Sequence, residues 1–376
     1  DIRNSGFKVT TVDTNIFPAG WNNLCPSYQK KAAKLFKEFF DQNHAKCVLI
    51  VIEEHTRNLF YFSNVWNLQN ILKDAGLTVY VGTPNTNVTE KTIFKTSDDE
   101  DLEVYPIKRQ ADEIFIDDHK VCTILYNNDF TDGIPEILQG ISQRVMPNPD
   151  LGWFKRRKSE HFSVYNNLVD EFSELIGFDG WHLKTEFSVV ENVDINSDAD
   201  RNRLADETSK ILTKIASEYS NRGIDREPVV FIKNDAGTYG MGVISVSSGD
   251  EIRNLNRKNR NKLAVGKESV PITNFIIQEG VPTTDKVKGF SAEPVMYLVG
   301  AKSAGGFFRV NEEKGDDENL NSTGMKFVKL CFEDVLGYEN TAMECDCNKE
   351  CLEKLYRMIA ELAALAASEE QFNLSL

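Results

Sequence analysis

Between Val229 and Val246 the chain reads VVFIKNDAGTYGMGVISV: an apolar run ending in a lysine, a glycine-rich loop, then a second apolar run. A lysine at a strand end offers a compact positive charge. Glycines let backbone N–H groups turn toward an anion with no Cβ in the way. Lys233 with the loop Gly237, Thr238, Tyr239, Gly240, Met241 and Gly242 is therefore a candidate holder of nucleotide phosphates. The segment after the loop narrows the choice. Dinucleotide folds and P-loops run from their glycines into a helix. Here Val243–Val246 continues as a strand, so the loop reads as a hairpin lid. Protein kinases place the lysine after the loop; in this chain it comes before, and no HRD or DFG triplet is found downstream. For the glycine loop alone, a surface hairpin without ligand is an equal alternative.

Further pieces come in order. Phe275–Val281 (FIIQEGV) is an apolar strand ending in Gln278, Glu279, Gly280 and Val281, a place where backbone groups and a carboxylate could meet adenine and ribose. Glu293 lies on one later strand and Arg309 near the end of the next, with Asn321 beyond a charged loop. Carboxylate and amide oxygens suit Mg²⁺, and a late arginine suits charge on a transferring phosphoryl group. Each of these is weak alone; their order is not.

These residues need a scaffold. At 376 residues the chain exceeds one ordinary core, so two or three domains are expected. Lys46–Ile52 reads as a buried strand, Phe62–Ala75 as a helix stopped by Gly76, and Leu77–Val81 as a second strand, which together predict parallel strands with a right-handed crossover. Lys91–Ile107 reads as a hairpin and Val121–Tyr126 as another strand. The proline-rich break Met146–Pro149 ends this open α/β region at about residue 150. Helices at Ser159–Ile176 and Asp200–Ser220, strands at 228–233, 242–246, 274–278 and 291–310, and an alanine-rich helix over Cys351–Ala367 make up the rest.

The net charge of −15 disfavours nucleic acid and anionic membrane as partners. No apolar run is long enough to span a bilayer. Seven scattered cysteines read as reduced thiols, and with no signal peptide evident they suggest a cytoplasmic protein. None of the five histidines sits in a catalytic context, which points to structural roles.

The order strand-lysine, glycine loop, Gln-Glu-Gly-Val, Glu, Arg, Asn resembles the ATP-grasp superfamily. Longer stretches sharpen this: DIRNSGFKVTTVDTNIFPAGWNNL (1–24), EEHTRNLFYFSNV (53–65), LGWFKRRKSEHF (151–162), KNDAGTYGMGV (233–243), NLNRKNRNK (254–262), IIQEGV (276–281) and DENLNSTGMKFV (317–328). Together they resemble the proteobacterial type of glutamate–cysteine ligase over nearly the whole chain. The resemblance implies an α/β (α+β) protein, with a pre-ATP-grasp-like substrate domain over 1–150 and an ATP-grasp domain over 151–376. It also implies ATP and Mg²⁺ as cofactors, glutamate and cysteine as small-molecule substrates, and γ-glutamylcysteine formed through an acyl phosphate, as the first step of glutathione biosynthesis.

Related enzymes end in a carboxylate-x-Asn pair that holds Mg²⁺. No late strand here carries one, but Asp13 and Asn15 near the start have that form. Residues two apart on a strand share a side, so residues 7–18 are expected to insert in the ATP-grasp sheet and bring Asp13 and Asn15 to the metal. An ordinary strand leading into a turn at Pro18 weighs equally. Arg57, Arg156 and Arg157 are candidate clamps for substrate carboxylates, with Asn22 and Asn23 as orienting amides. The glycine loop is silent about substrate, which leaves a ligase for other amino acids or peptides, or a non-catalytic ATP-binding regulator, as rival readings.

Overall fold

The computed structural model describes residues 1–54, 56–237, 242–266, 271–329 and 349–375. The apolar run after Ala45 forms the strand Cys47–Ile52, which pairs in parallel with Thr78–Thr83 on one side and Thr123–Asn127 on the other. Its side chains alternate between two cores. Val48, Ile50 and Ile52 join one, and Leu49 and Val51 the other. The helix Leu59–Asp74 makes the first crossover, and Gly76, at φ 87°, turns the chain out of it. The full sheet has eight strands, with Thr92–Lys95, Asp101–Gln110, Glu113–Ile116 and His119–Lys120 lying beyond Thr78–Thr83 and paired antiparallel with one another.

Two four-stranded antiparallel sheets come next. One runs Phe187–Val190, Phe275–Glu279, Val230–Asn234, Ile244–Val246; the other runs Lys286–Val287, Phe290–Val299, Lys302–Asn311, Met325–Val328. The helix Pro26–Gln42 sits against the second of these, so Ala32, Phe36 and Phe40 share a core with Ala304, Phe308 and Val310. The long C-terminal helix Lys349–Ser375 buries Tyr356, Ile359 and Ala363 against Tyr165 and Val169 of the helix Lys158–Ile176. Cys25, at the start of Pro26–Gln42, is disulfide-bonded rather than reduced, while Cys47 and Cys122 are free thiols.

The N-terminal segment differs from expectation. Val9–Thr11 folds back on Ile2–Asn4 through a turn at Gly6 (φ 82°), and these two strands form a sheet of their own. Pairing stops at Thr11. Among the described residues this hairpin joins no larger sheet, so residues 7–18 do not add a strand to the Val230–Asn234 sheet.

Candidate functional site

Strand alternation builds the floor of a cleft. Val230 and Ile232 point into the core under the sheet, so Phe231 and Lys233 face the other way. Phe231 lies directly across from Gln278 on the neighbouring strand. Above this floor is a cleft that opens in part to solvent. Its far wall comes from the other antiparallel sheet, where Glu293 and Arg309 form a cross-strand pair.

Four basic side chains line this space: Arg3, Lys158, Lys233 and Arg309. Lys233 Nζ donates to Gln278 Oε1 at 2.6 Å and to the Val12 carbonyl at 3.1 Å. Burial brings its pKa down to about 8, although Asp13 pulls the other way. Lys158 is the first residue of its helix. Asp235, at the root of the glycine loop, fixes that start: its carboxylate accepts from Ser159 N (2.8 Å) and Ser159 Oγ (2.7 Å), and its carbonyl from Lys158 N (2.7 Å). Lys158 is thereby set beside Lys233 and pairs with Asp13. Burial disfavours charge on Asp13, but Lys158 and Lys233 outweigh it and hold the carboxyl well below the usual range.

Glu293 is gripped by Arg3 on one oxygen and Arg309 on the other. Burial opposes its ionisation, yet the two guanidinium groups bring its pKa down to about 2. Arg309 also reaches Asp1 at 2.9 Å. Its Nε, buried, has no partner among the described residues.

Of the residues singled out from sequence, Lys233, Gly237, Gln278, Glu279, Glu293, Arg309, Asn321 and Asp13 all line this one cleft. Gly242 sits beside it at φ 65°, next to the lining Val243. Thr238, Tyr239, Gly240 and Met241 fall outside the described residues.

Others lie elsewhere. Gly280 and Val281 do not line the cleft; Gly280 N–H donates to the Val229 carbonyl at 2.7 Å, and Val281 is buried. Asn15 is exposed and does not line the cleft, although its Nδ2 lies 3.5 Å from Asp13 Oδ2; the strand itself ends four residues earlier, at Thr11. Arg156 is 1% exposed and bound to Glu370 and to the Thr14 carbonyl, and the Arg157 guanidinium donates to the carbonyls of Lys155 and Arg156. Asn22 and Asn23 occupy a short turn, Trp21–Asn23, tied to the sheet through Asn64, which bonds both Trp21 N and Asn127. Arg57 is exposed in the loop after Cys47–Ile52. Neither Arg57 nor these asparagines line the Lys233 cleft.

Sequence reasoning missed Arg3, Lys158 and Asn319. Lys158 had a signal, as the last member of the basic run that opens an amphipathic helix. Arg3 had none.

The oxygen donors fit a hard cation in part. Asp13, Glu293, Asn319 and Asn321 face one space, the ligand type that Mg²⁺ takes. Among the described residues, however, no three acidic, histidine or cysteine side chains converge as a metal cluster. Such an ion would complete its shell with phosphate oxygens and water.

A family model for glutamate-cysteine ligase (GshA) matches residues 1–371. The crystal structure of a candidate gamma-glutamylcysteine synthetase from Methylobacillus flagellatus KT, at 1.90 Å, is 38% identical, covers 99% of this chain and 88% of its own, and superposes with a TM-score of 0.88. D-alanyl-alanine synthetase A from Vibrio cholerae O1 biovar eltor str. N16961 is 9% identical over 85% of this chain and 81% of its own, with a TM-score of 0.40. No curated protein matches the chain.

Proposed function

This chain belongs to the glutamate-cysteine ligase family, and from that premise we propose that the Lys233 cleft is where ATP activates the γ-carboxylate of glutamate for attack by cysteine. The chain is an enzyme that joins glutamate to cysteine in glutathione biosynthesis. The finer reading concerns how its residues do so.

A carboxylate and an amine do not condense in water without a leaving group. Transfer of the ATP γ-phosphoryl group to glutamate supplies one, and the cysteine amine then displaces phosphate from the acyl phosphate to leave γ-glutamylcysteine. The observation that carries this reading is a cluster of basic side chains beside empty space. Lys233, Lys158 and Arg309 border the cleft, and Arg309 Nε lacks a partner among the described residues. Groups so placed hold phosphate oxygens in line and neutralise charge as it moves, which is most of what phosphoryl transfer requires. Mg²⁺, held by Asp13, Glu293 and Asn321, would add neutralisation of phosphate charge when bound. Gly237, which lines the cleft, begins the glycine loop whose sequence reads as a lid, and the role of such a lid is to keep water from the acyl phosphate.

In this reading residues 151–376, joined by the N-terminal residues up to Asp13, carry the nucleotide side, and the rest of residues 1–150 the amino-acid side. Arg57 is the remaining candidate clamp, since Arg156 is buried and Arg157 is engaged with carbonyls. It lies beyond the carboxyl end of a parallel strand, where open α/β sheets take their ligands. Among the described residues no helix is long and apolar enough to cross a membrane.

The direct test follows phosphate release and product mass with ATP, glutamate and cysteine, omitting each in turn. Release should need all three. Lys233→Ala should cut kcat/KM by about 100- to 1,000-fold with an unchanged circular dichroism spectrum. An equal rate without cysteine, or wild-type turnover by Lys233→Ala, would overturn the assignment.

A further inference from the structure

Three buried side chains outside the cleft converge on the segment that carries Asp13. Glu370, near the end of the C-terminal helix, accepts from Arg156 Nε at 3.0 Å and Nη2 at 3.1 Å, and from His161 Nδ1 at 2.7 Å. Arg156 in turn donates through Nη1 to the Thr14 carbonyl at 2.6 Å. His161 Nε2 meets the Thr14 hydroxyl at 2.9 Å. Burial pushes the imidazole pKa down, so the ring is neutral: Nδ1–H donates to Glu370, and Nε2 accepts the Thr14 proton. The Glu370 charge thus selects the tautomer that receives Thr14. None of Thr14, Arg156, His161 and Glu370 lines the cleft.

We propose that Glu370 is a positioning residue for the ligation reaction, acting through Arg156 and His161 to fix Thr14 and so hold the Asp13 carboxylate against Lys158 at the cleft wall. This rests on the cleft being the reaction site.

Two features separate positioning from simple anchoring of a helix. The helix is already anchored by apolar contacts through Tyr356, Ile359, Ala363 and Ala366. Burying a carboxylate, a guanidinium and an imidazole beside them is costly unless the geometry is well satisfied, and it does not improve that contact. What the cluster adds is direction. Past the strand end at Thr11 the backbone is tied to Asp1, whose carbonyl accepts from Val12 N–H at 2.9 Å and whose α-ammonium donates to the Asp13 carbonyl at 2.8 Å; among the described residues no such backbone bond holds Thr14. Side chains supply the rest: Lys233 holds the Val12 carbonyl, Lys158 the Asp13 carboxylate, and Arg156, His161 and the Thr11 hydroxyl hold Thr14. Glu370 fixes two of these groups, Arg156 and His161. A displacement of about 1 Å at a reacting site can cost about 100-fold in rate, so this hold is worth maintaining.

The test compares Thr14→Ser, Thr14→Val, Glu370→Gln and the pair Thr14→Val with Glu370→Gln, measured as kcat at saturating substrates per folded enzyme. Positioning predicts that Thr14→Ser, which keeps the hydroxyl, stays near wild type. Thr14→Val, which keeps the shape, and Glu370→Gln should each lose about 10- to 100-fold. The double variant should be slower than Glu370→Gln by no more than about twofold, because both break one chain of contacts. Simple packing predicts the reverse order, with valine tolerated at least as well as serine. Fully multiplicative losses, or a valine variant as fast as the serine one, would overturn the proposal. If Glu370→Gln does not fold, the serine–valine comparison decides alone. Asp13→Ala separates the two levels. Wild-type turnover there removes the reading of the cleft itself, whereas an inactive Asp13→Ala beside a fully active Thr14→Val removes only the positioning role.

Discussion

Buried charge occurs in this molecule in two forms that a sequence does not distinguish. In the Arg156–His161–Glu370 cluster every guanidinium nitrogen has a partner and no cleft borders it. The Lys8–Glu279 pair is as closely matched, although Glu279 also lines the cleft: both side chains are 1% exposed, and Lys8 lies 4.1 Å from the Trp181 ring centroid. Around Lys233 the balance is different. Arg3, Arg309, Lys158 and Lys233 surround empty space, and Arg309 Nε has no partner among the described residues. The contrast teaches that burial plus charge does not mark a binding site. Unmet hydrogen-bonding demand beside space does.

The sharpest way to break this contrast is to remove one cation from each form and measure folding. Arg156→Leu leaves Glu370 buried without its guanidinium, and denaturant unfolding should show a loss of about 3–5 kcal/mol. Lys233→Met should lose little or gain, because burial already disfavours that ammonium and brings its pKa to about 8. Equal losses from the two variants would erase the distinction.

The second effect is kinetic. Lys233 must be protonated to meet phosphate, and its charged form gives way as pH rises through about 8. The wild-type kcat/KM should therefore fall on the alkaline side near that pH, since this ratio reports the free enzyme. Lys233→Arg should have a lower maximum, but its alkaline limb should move up by about one unit or more, because guanidinium stays charged. An unmoved limb would assign the titration to another group.

How far the sequence led depends on which physical signal each residue carried. Lys233 was legible because strand alternation decides its direction: Val230 and Ile232 must enter the core, so Lys233 must face out. Glu293 and Arg309 were legible as members of successive strands, though not as direct partners. The helix expected at Ser159–Ile176 begins one residue earlier, at Lys158, and that residue is the one in the cleft. Its capping partner Asp235 lies 76 residues beyond Ser159, outside any local pattern. Arg3 is joined to Glu293 across 290 residues and could not be seen at all. Asn15 sits beside Asp13, as the two-residue spacing suggested, but outside the cleft lining, because the strand had ended at Thr11. For Arg156 and Arg157 the basic run showed charge, not that the fold engages one with Glu370 and the other with nearby carbonyls.

Asp285 offers the finest test, because it belongs to neither form. Tyr356 OH lies 2.7 Å from both its carboxylate oxygens, and Asn4 donates to that hydroxyl at 2.9 Å. The tyrosine bond favours the charged carboxylate, but burial outweighs it and pushes the pKa from 3.8 up to about 7. The folded state therefore binds a proton that the unfolded chain has released, and stability falls as pH rises through the window between these two values. An asparagine at this position would keep the shape and an acceptor for Tyr356 without titrating. Relative to wild type, Asp285→Asn should gain on the order of 1–2 kcal/mol of stability between about pH 5 and about pH 8. Denaturant midpoints of both proteins across that range measure it. A constant difference would mean that Tyr356 fully satisfies the carboxylate, and Asp285 would then join Glu370 among the neutralised charges.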